Sequence, residues 1–474
     1  MRYVSTRGQS PAIGFWDAVL AGLAPDGGLY IPEAWPRFER EEIAAFAGKP
    51  YAEVAAAVIG KFAGSDIAPD ELLEMTRAAY ATFTHAAVTP VKQLGDDLFL
   101  LELFHGPTLA FKDVAMQILA RLYDKALKLQ NRHMTIVAAT SGDTGGAAIE
   151  AFRGASNARI LVLFPEGRIS EVQRRFMTTT GAANVANIAL QGSFDDCQAI
   201  VKDMFQDPAL RQAVDLSGVN SINWARIAAQ AVYYFTSAVA LGAPHRDVSF
   251  VVPTGNFGDA FAGYVAKQMG LPIESITVAT NSNDIVARAI TTGRYARGEV
   301  MATQSPAMDI QVASNFERLL YQASGRDAAA TSQFFKTFAE TGEAVVPGHA
   351  LEDMRRLFSG QSVDEAETSA TIRQVLEETG ELIDPHTAVA MTAALRPRPG
   401  ARRAAPAPVV VLSTAHPAKF PEAVLAAAGV EPRLPAAAVG LDAKAETFDR
   451  LPNQPDAVKA YLRDFAGAAA TASS

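Results

Sequence analysis

Short apolar runs bounded by turns recur along the chain, and helical periodicity fills most of the segments between them. The runs cover residues 98–101, 135–138, 160–164, 249–252, 276–278 and 409–412, and a helical stretch over residues 350–395 precedes the last of them. Continuous apolar strands that alternate with helices are typical of parallel sheets covered on both faces. The pattern predicts an α/β fold, in which ligands bind beyond the carboxyl ends of the strands.

Residues 1–90 show a different pattern. Helical periodicity marks segments 15–22, 39–48, 51–62 and 69–83, with Gly or Pro between them. Because no constellation of reactive side chains falls there, we predict a small, mostly helical N-terminal domain that acts as a cap or a dimer contact.

Composition and charge exclude several classes of function. The 474 residues carry 51 acidic and 42 basic side chains, and the net charge of -9 argues against a nucleic-acid-binding surface. A single cysteine, Cys197, excludes an internal disulfide and a Cys-rich metal site, and the seven histidines fall at no metal-ligand spacing. We therefore expect no metal. The N-terminus lacks a signal-peptide core, and the longest apolar run, 227–243, is shorter than the ~20 residues of a membrane span. These features predict a cytoplasmic protein without membrane contact.

The most informative lysine is Lys112, in the segment Leu-Phe-His-Gly-Pro-Thr-Leu-Ala-Phe-Lys-Asp at 103–113. Pro107 stiffens the turn before it, and apolar residues recur at helical spacing after it. The pattern predicts that Lys112 stands at a helix start under apolar cover. Desolvation favours a neutral amine, which can form a Schiff base with a carbonyl. The alternative is a snorkelling lysine on an amphipathic helix, and the other motifs of the chain argue against it.

Two further motifs follow predicted strands. Ser141, Gly142, Asp143 and Thr144 stand where a strand turns into a helix, so unpaired N–H groups there are able to bind an anion, although an ordinary N-cap explains them equally. The segment 252–260 places two glycines around Asn-Phe before a helix, which suits backbone binding of phosphate. It matches neither a P-loop nor a dinucleotide fingerprint, and a plain strand–helix turn is its alternative.

Two weaker candidates lie at a strand end and at a helix start. Ser413 and Thr414 follow the last predicted strand and could hold a heterocycle nitrogen or cap a helix. Asn223 and Arg226 lie three residues apart on one face of a helix, where Arg226 could bind a phosphate or remain a surface arginine.

This set of motifs resembles the threonine synthases, a family of fold-type-II pyridoxal-phosphate enzymes in the tryptophan synthase β-like superfamily. The chain is similar to their longer subgroup in residues 3–8, 26–29, 105–113, 141–145, 255–259 and 414–420. The resemblance implies two parallel-sheet subdomains covered by helices, in addition to the N-terminal domain. We therefore predict an N-terminal domain over 1–90, a pyridoxal-phosphate-binding α/β region over 91–430 with its smaller subdomain at roughly 113–215, and a C-terminal extension over 431–474.

The resemblance also implies roles for residues. Lys112 would form the Schiff base with pyridoxal 5'-phosphate, Thr414 would meet the pyridine nitrogen, and Asp143 would contact the ring hydroxyl. The residues around the cofactor phosphate would be Gly255, Asn256, Phe257, Gly258 and Asp259. Those around the substrate would be Ser141, Gly142 and Thr144 at its carboxylate end and Asn223 and Arg226 at its phosphate.

The implied reaction converts O-phospho-L-homoserine and water to L-threonine and phosphate, with Lys112 moving the α- and β-protons. A phospho-lyase that releases 2-oxobutanoate would carry the same motifs. A non-catalytic amino-acid-binding relative is a third possibility, and the intact Lys112 and the 255–259 segment argue against it. The resemblance is compatible with a monomer or a homodimer.

Overall fold

The computed structural model describes residues 1–140, 142–396 and 407–472 of the chain. Its strands are β1 (Tyr3–Ser5), β2 (Tyr30–Pro32), β3 (Val91–Gln93), β4 (Leu98–Glu102), β5 (Met134–Ala139), β6 (Ala158–Pro165), β7 (Val185–Gln191), β8 (Leu216–Ser217), β9 (Val248–Pro253), β10 (Ile273–Thr280), β11 (Arg294–Ala296), β12 (Glu343–Val345), β13 (Phe358–Ser362), β14 (Val409–Ser413) and β15 (Asp449–Pro452).

The α-helices alternate with these strands along most of the chain. They are α1 (Phe15–Leu20), α2 (Arg40–Ala44), α3 (Tyr51–Ala63), α4 (Pro69–Tyr80), α5 (Lys112–Leu129), α6 (Asp143–Phe152), α7 (Glu171–Thr178), α8 (Phe194–Gln206), α9 (Pro208–Val214), α10 (Trp224–Ala240), α11 (Gly258–Gln268), α12 (Ile285–Thr292), α13 (Phe316–Ala323), α14 (Ala328–Thr341), α15 (Gly348–Arg355), α16 (Glu365–Thr379), α17 (Pro385–Leu395), α18 (Pro421–Ala428) and α19 (Pro455–Ala472).

The chain forms two compact units. Unit 1 contains Met1–His105 and Ser221–Arg433, and unit 2 contains Gly106–Asn220 and the residues from Leu434 onward. The helices of the N-terminal segment, α1 to α4, therefore cluster with unit 1, and unit 2 reaches beyond residues 113–215 on both sides and takes in most of the predicted C-terminal extension.

Unit 1 is built on a six-stranded sheet with the order β13-β10-β9-β14-β4-β3. Its strands pair in parallel except β3, which is antiparallel to β4. Strands β9 and β14 are buried along their whole length, which explains why they read as continuous apolar runs in the sequence. Because they are parallel neighbours, their carboxyl ends reach the same edge of the sheet.

Unit 2 carries a second parallel sheet, with the order β15-β7-β6-β5-β8. The C-terminal segment completes it: β15 adds an edge strand beside β7, and Val458 and Leu462 of α19 join the apolar core under the sheet. Arg174 and Glu446 pair through two hydrogen bonds of 2.8 and 3.0 Å, which ties the segment to α7.

The predicted α/β architecture is confirmed, and each of the six predicted strands lies within β4, β5, β6, β9, β10 or β14. Nine of the fifteen described strands were not predicted, and β7 and β13 are the longest of them. β7 was missed because Asn187 and alanines dilute its apolar pattern. The prediction of continuous helix over 350–395 is wrong at β13, a mostly polar edge strand that exists because β10 pairs with it. Gly360 allows the close packing there, since a Cβ atom on it would lie 2.6 Å from the Ala287 carbonyl oxygen.

We expect Leu462→Ala to lower the free energy of unfolding of unit 2 by about 2–5 kcal/mol, because it leaves a cavity under the sheet. Leu434→Ala is the matched control, since Leu434 is 43% exposed and its truncation leaves no cavity. Urea unfolding followed by circular dichroism, with amide exchange of β7, measures the effect. Equal transition midpoints for the two variants would contradict the packing of α19.

Candidate active site

Lys112 is the first residue of α5 in unit 2, and a buried carboxylate holds the turn that precedes it. Asp113 Oδ2 accepts the Thr108 N–H at 2.8 Å, and Asp113 Oδ1 accepts the Thr108 hydroxyl at 2.7 Å. A Cβ atom on Gly106 would lie 2.4 Å from the Asp113 Cβ, so the turn requires glycine. The predicted helix start at Lys112 is confirmed.

The surroundings of the Lys112 amine are less apolar than the sequence predicts. Its side chain is only 12% exposed, but Asp143 Oδ2 lies 3.7 Å from Nζ. Asp143 Oδ1 accepts a hydrogen bond of 3.1 Å from Gln173 Nε2, which orients the carboxylate. The ion pair offsets part of the cost of desolvating the ammonium group. Nζ therefore has a fixed partner whenever it carries an extra proton.

The start of α6 places the other candidates of unit 2. Gly142 precedes the helix at φ +133°, and a Cβ atom on it would lie 2.5 Å from Gln173 Cδ. Thr140 Oγ1 accepts the N–H groups of Gly142 and Gly145, both at 2.9 Å, and so shapes the turn. Thr144 is half-buried in the first turn of the helix. Ser141, the remaining candidate of this segment, lies outside the described residues.

In unit 1, residues 255–258 connect β9 to α11 in a tight turn. Phe257 adopts a left-handed conformation with φ 62°, which is uncommon for a residue with a side chain. A Cβ atom on Gly255 would lie 2.9 Å from the Ala307 carbonyl oxygen, so the turn packs directly on that peptide. Within the described part of the chain, no acceptor takes the N–H groups of residues 255–260. These donors are available to an anion at the helix start.

A buried amide and a buried guanidinium support this turn. The Asn256 carbonyl oxygen accepts from the Asn315 N–H at 3.1 Å and from Asn315 Nδ2 at 3.2 Å. Arg318 in turn donates to Asn315 Oδ1, to the Tyr30 carbonyl oxygen and to the Ile222 carbonyl oxygen. Burial lowers the pKa of the Arg318 guanidinium to about 9. The N-terminal segment and the 255–258 turn thus share one buried hub in unit 1.

Asp259, predicted to contact the cofactor phosphate, turns its side chain toward α10. Its Oδ1 accepts from the Tyr233 hydroxyl at 2.5 Å and from the Tyr234 hydroxyl at 3.0 Å. Burial raises the pKa of the Asp259 carboxyl to about 7, and the two tyrosine hydrogen bonds oppose that rise. An ionised carboxylate would repel a phosphate, so any contribution of Asp259 to an anion site comes from its backbone N–H.

Thr414 follows the last residue of β14 and is 5% exposed. Among the residues that the structure describes, none forms a hydrogen bond with its hydroxyl group. The neighbouring Ser413 holds the strand end through its carbonyl oxygen, which accepts the Leu103 N–H at 2.9 Å. Thr414 is therefore a nearly buried hydroxyl that is open to a ligand at the carboxyl edge of the sheet.

Asn223 and Arg226 are both buried at the start of α10. Asn223 Oδ1 caps the helix by accepting the Ala225 N–H at 2.9 Å. Its Nδ2 donates to the Val19 and Ala21 carbonyl oxygens at 2.7 and 3.2 Å. These contacts give Asn223 a structural role. The interpretation of Arg226 as a surface arginine is wrong, because the residue is only 4% exposed. Substrate contacts of the two residues stay predictions.

The sequence offered weak signals for several supporting residues. Gln173 stands in a capping box with Ser170, which identifies a helix start but not its contact with Asp143. Asp384-Pro385 is a recognisable N-cap and first helical residue. Nothing near Asn315 or Arg318 in the sequence indicates that they meet the 255–258 turn.

Two absences concern the described residues alone. No group of three or more His, Cys, Asp or Glu side chains among residues 1–140, 142–396 and 407–472 could bind a metal ion. In the same ranges, no helix combines the length and the apolar character needed to cross a bilayer. Cys197 is buried in unit 2, as predicted for a small apolar side chain, and burial raises the pKa of its thiol to about 12.

We expect Asp259→Asn to change how stability depends on pH. The carboxyl pKa of about 7 lies above its ordinary value of 3.8, so the stability it contributes is complete below about pH 4 and is lost as the pH rises through 7. The variant keeps an oxygen for both tyrosines but cannot ionise. The difference in unfolding free energy between the variant and the parent should therefore shift in favour of the variant between pH 4 and 7, by an amount on the order of a few kcal/mol.

Urea unfolding of the cofactor-free protein at several pH values measures this difference. Asp353→Asn, a surface substitution in α15, is the matched control. Parallel pH profiles for the parent and Asp259→Asn would show that this carboxyl does not titrate in the folded protein as described.

Comparisons with known proteins cover nearly the whole chain. A model of the threonine synthase N terminus matches residues 2–80, one of pyridoxal-phosphate-dependent enzymes matches residues 81–341, and one of the threonine synthase C-terminal region matches residues 387–462. Among curated proteins, the threonine synthase of Pseudomonas aeruginosa is 49% identical over 463 residues, which are 98% of each chain.

Solved structures agree with this. The pyridoxal-phosphate-bound threonine synthase from Brucella melitensis superposes with a TM-score of 0.95 at 53% identity, over 98% of this chain and 99% of that one. The yeast threonine synthase superposes with a TM-score of 0.93 at 37% identity, over 98% and 99% of the two chains. Pyridoxal phosphate is therefore the cofactor, and the chain belongs to the threonine synthase family of fold-type-II pyridoxal-phosphate enzymes.

Proposed function

We propose that this protein is a threonine synthase that converts O-phospho-L-homoserine and water to L-threonine and phosphate. The observation that carries the proposal is the placement of Lys112, a nearly buried amine at the first residue of a helix with a carboxylate 3.7 Å away. An amine held in this way can react with an aldehyde and then move protons at fixed positions.

The residues described above fit pyridoxal phosphate. The open N–H groups of residues 255–258 would supply donors for its phosphate, and the nearly buried Thr414 hydroxyl would supply a partner for its pyridine nitrogen. When bound, the cofactor supplies the electron sink that stabilises negative charge at the substrate carbons. A hydroxyl partner does not require a protonated ring nitrogen, as a carboxylate would.

Lys112 Nζ is the group that moves protons in this proposal. It removes the substrate's α-proton and then a β-proton, so that the Cγ–O bond breaks and phosphate leaves. A proton is then added at the γ-carbon, which becomes the methyl group of threonine. The hydroxyl of water adds at the β-carbon as its proton is given up, and a proton returns to the α-carbon. Asp143 stabilises Nζ each time it holds a proton, since its Oδ2 stays within ion-pair distance. Because the Asp143 carboxylate faces the Lys112 amine, we favour its role as the partner of Nζ over its predicted contact with the ring hydroxyl of the cofactor.

The start of α6 suits the substrate's carboxylate end. Gly142 and Thr144 flank Asp143 in a turn that Thr140 stabilises, and Ser141 completes the predicted set. The buried guanidinium of Arg226 is the strongest candidate for the substrate phosphate. A cytoplasmic location and a monomeric or homodimeric state also remain predictions.

Lys112→Ala should abolish the visible absorbance of the cofactor-bound protein and reduce turnover by about 10²–10⁴-fold or more, because the amine is both the attachment point and the base. Lys128→Ala, at an exposed position in the last turn of the same helix, is the control and should keep both properties. Absorbance spectra and phosphate release measure the two effects. Turnover retained in Lys112→Ala would defeat the assignment.

Incubation with O-phospho-L-homoserine in ¹⁸O-labelled water should yield threonine and phosphate in equal amounts. The label should enter the threonine hydroxyl and not the phosphate, because water adds at the β-carbon and the phosphate leaves with its bridging oxygen. Mass spectrometry of both products measures this. Accumulation of 2-oxobutanoate would instead identify a phospho-lyase, and label in the phosphate would identify simple phosphate-ester hydrolysis.

A further inference from the structure

Asp384 of unit 1 is a fully buried carboxylate at the N-cap of α17, and its oxygens contact two residues of the first helical turn. Oδ1 accepts the N–H of Thr387 at 3.1 Å and also its hydroxyl. Oδ2 accepts the N–H of His386 at 3.0 Å and lies 2.7 Å from its Nδ1. One carboxylate thus holds the side chains of two neighbouring residues in fixed orientations.

The first of these side chains reaches the peptide behind the 255–258 turn. His386 Nε2 lies 3.3 Å from the Ala307 backbone nitrogen, which can only donate. Nε2 must therefore be the acceptor, so the imidazole is neutral, and its proton sits on Nδ1 facing Asp384. The carbonyl oxygen of the same Ala307 lies 2.9 Å from where a Cβ atom on Gly255 would be. The histidine thus holds Ala307 through its N–H group, and Gly255 packs against the carbonyl group of the same residue.

The second side chain reaches the end of β14. Thr387 Oγ1 lies 3.0 Å from Ser413 Oγ. Because the only hydroxyl proton of Thr387 is donated to Asp384, Ser413 donates to Thr387. Ser413 directly precedes Thr414, whose hydroxyl is open at the sheet edge. Asp384 is therefore connected both to the backing of the 255–258 turn and to the strand end that carries Thr414.

We propose that His386, anchored by Asp384, is a positioning residue for the cofactor phosphate: it holds Ala307 through its N–H group, and the 255–258 turn keeps its own N–H groups in place against the carbonyl group of the same residue. This inference rests on the proposed function, in which that turn binds the phosphate. An N-cap with a purely structural task would stabilise α17 without affecting how the protein distinguishes a phosphorylated from a non-phosphorylated cofactor.

Comparing pyridoxal phosphate with pyridoxal tests the proposal, because the two differ only in the phosphate. The dissociation constants of both aldehydes for the full-length, cofactor-free protein are measured by visible absorbance. We expect His386→Leu, which lacks an acceptor for the Ala307 N–H, to reduce the preference for pyridoxal phosphate over pyridoxal by about tenfold. His386→Gln should restore part of the preference, since its side-chain oxygen can accept.

Thr392→Val is the matched control on the same helix. The buried Thr392 hydroxyl lies 2.7 Å from that of Thr371, and its loss should lower thermal stability without changing the preference. If the preference for pyridoxal phosphate is the same in both His386 variants, in Thr392→Val and in the parent, the inference is overturned. Asp384 and His386 would then serve only to cap the helix. If His386→Leu does not fold, His386→Gln decides: a preference lower than the parent's, with Thr392→Val unchanged, supports the positioning role, and a preference equal to the parent's contradicts it.

Gly255→Ala distinguishes a failure of this inference from a failure of the proposal that residues 255–258 bind the cofactor phosphate. A methyl group there would crowd the Ala307 carbonyl and should reduce the preference for the phosphorylated aldehyde. If Gly255→Ala reduces it and His386→Leu does not, the positioning role alone fails. If neither variant changes it, the assignment of phosphate to residues 255–258 fails as well.

Discussion

Both units depend on how a buried parallel strand continues into a helix. The backbone groups of the strand are hydrogen-bonded to neighbouring strands, whereas the first N–H groups of the helix have no partner within the helix. In unit 1 this happens between β9 and α11, and in unit 2 between β5 and α6. The protein has two solutions at these places: Thr140 takes some of the N–H groups with its hydroxyl oxygen, and the 255–258 turn leaves its own available to an anion.

Buried charged side chains also stabilise turns that lead into helices. Arg318, Asp384 and Asp113 are all fully buried, and each makes several hydrogen bonds within its own unit. Isolated charges in such places would be costly, but multiple hydrogen bonds offset the desolvation and also define a single geometry. Asp259 is the contrasting case, because burial raises the pKa of its carboxyl to about 7 despite its two tyrosine hydrogen bonds.

Unit 2 shows how the same chemistry serves a reactive group. Asp113 shapes the turn before Lys112, and Asp143 faces the amine from the start of the next helix, held there by Gln173. The Lys112 amine is thus nearly buried, and the negative charge of Asp143 lies within ion-pair distance of it. This combination suits a group that takes up and releases protons repeatedly, because the ion pair stabilises the protonated amine while burial favours the neutral one.

The sequence by itself determined the α/β class, the six apolar strands and the position of Lys112 at a helix start, since burial on both faces and helix punctuation are local properties that the residue pattern records. Resemblance added the family and the cofactor, which the comparisons confirm. Only the tertiary structure decided that residues 358–362 form a strand, that Asp143 lies beside the amine, and that Asn315 and His386 support the 255–258 turn. The partners in these contacts are distant in the chain: 31 residues separate Lys112 from Asp143, and 79 separate Ala307 from His386. Which polar side chains meet depends on the order of strands in a sheet, and no local pattern of hydrophobic and polar residues encodes that order.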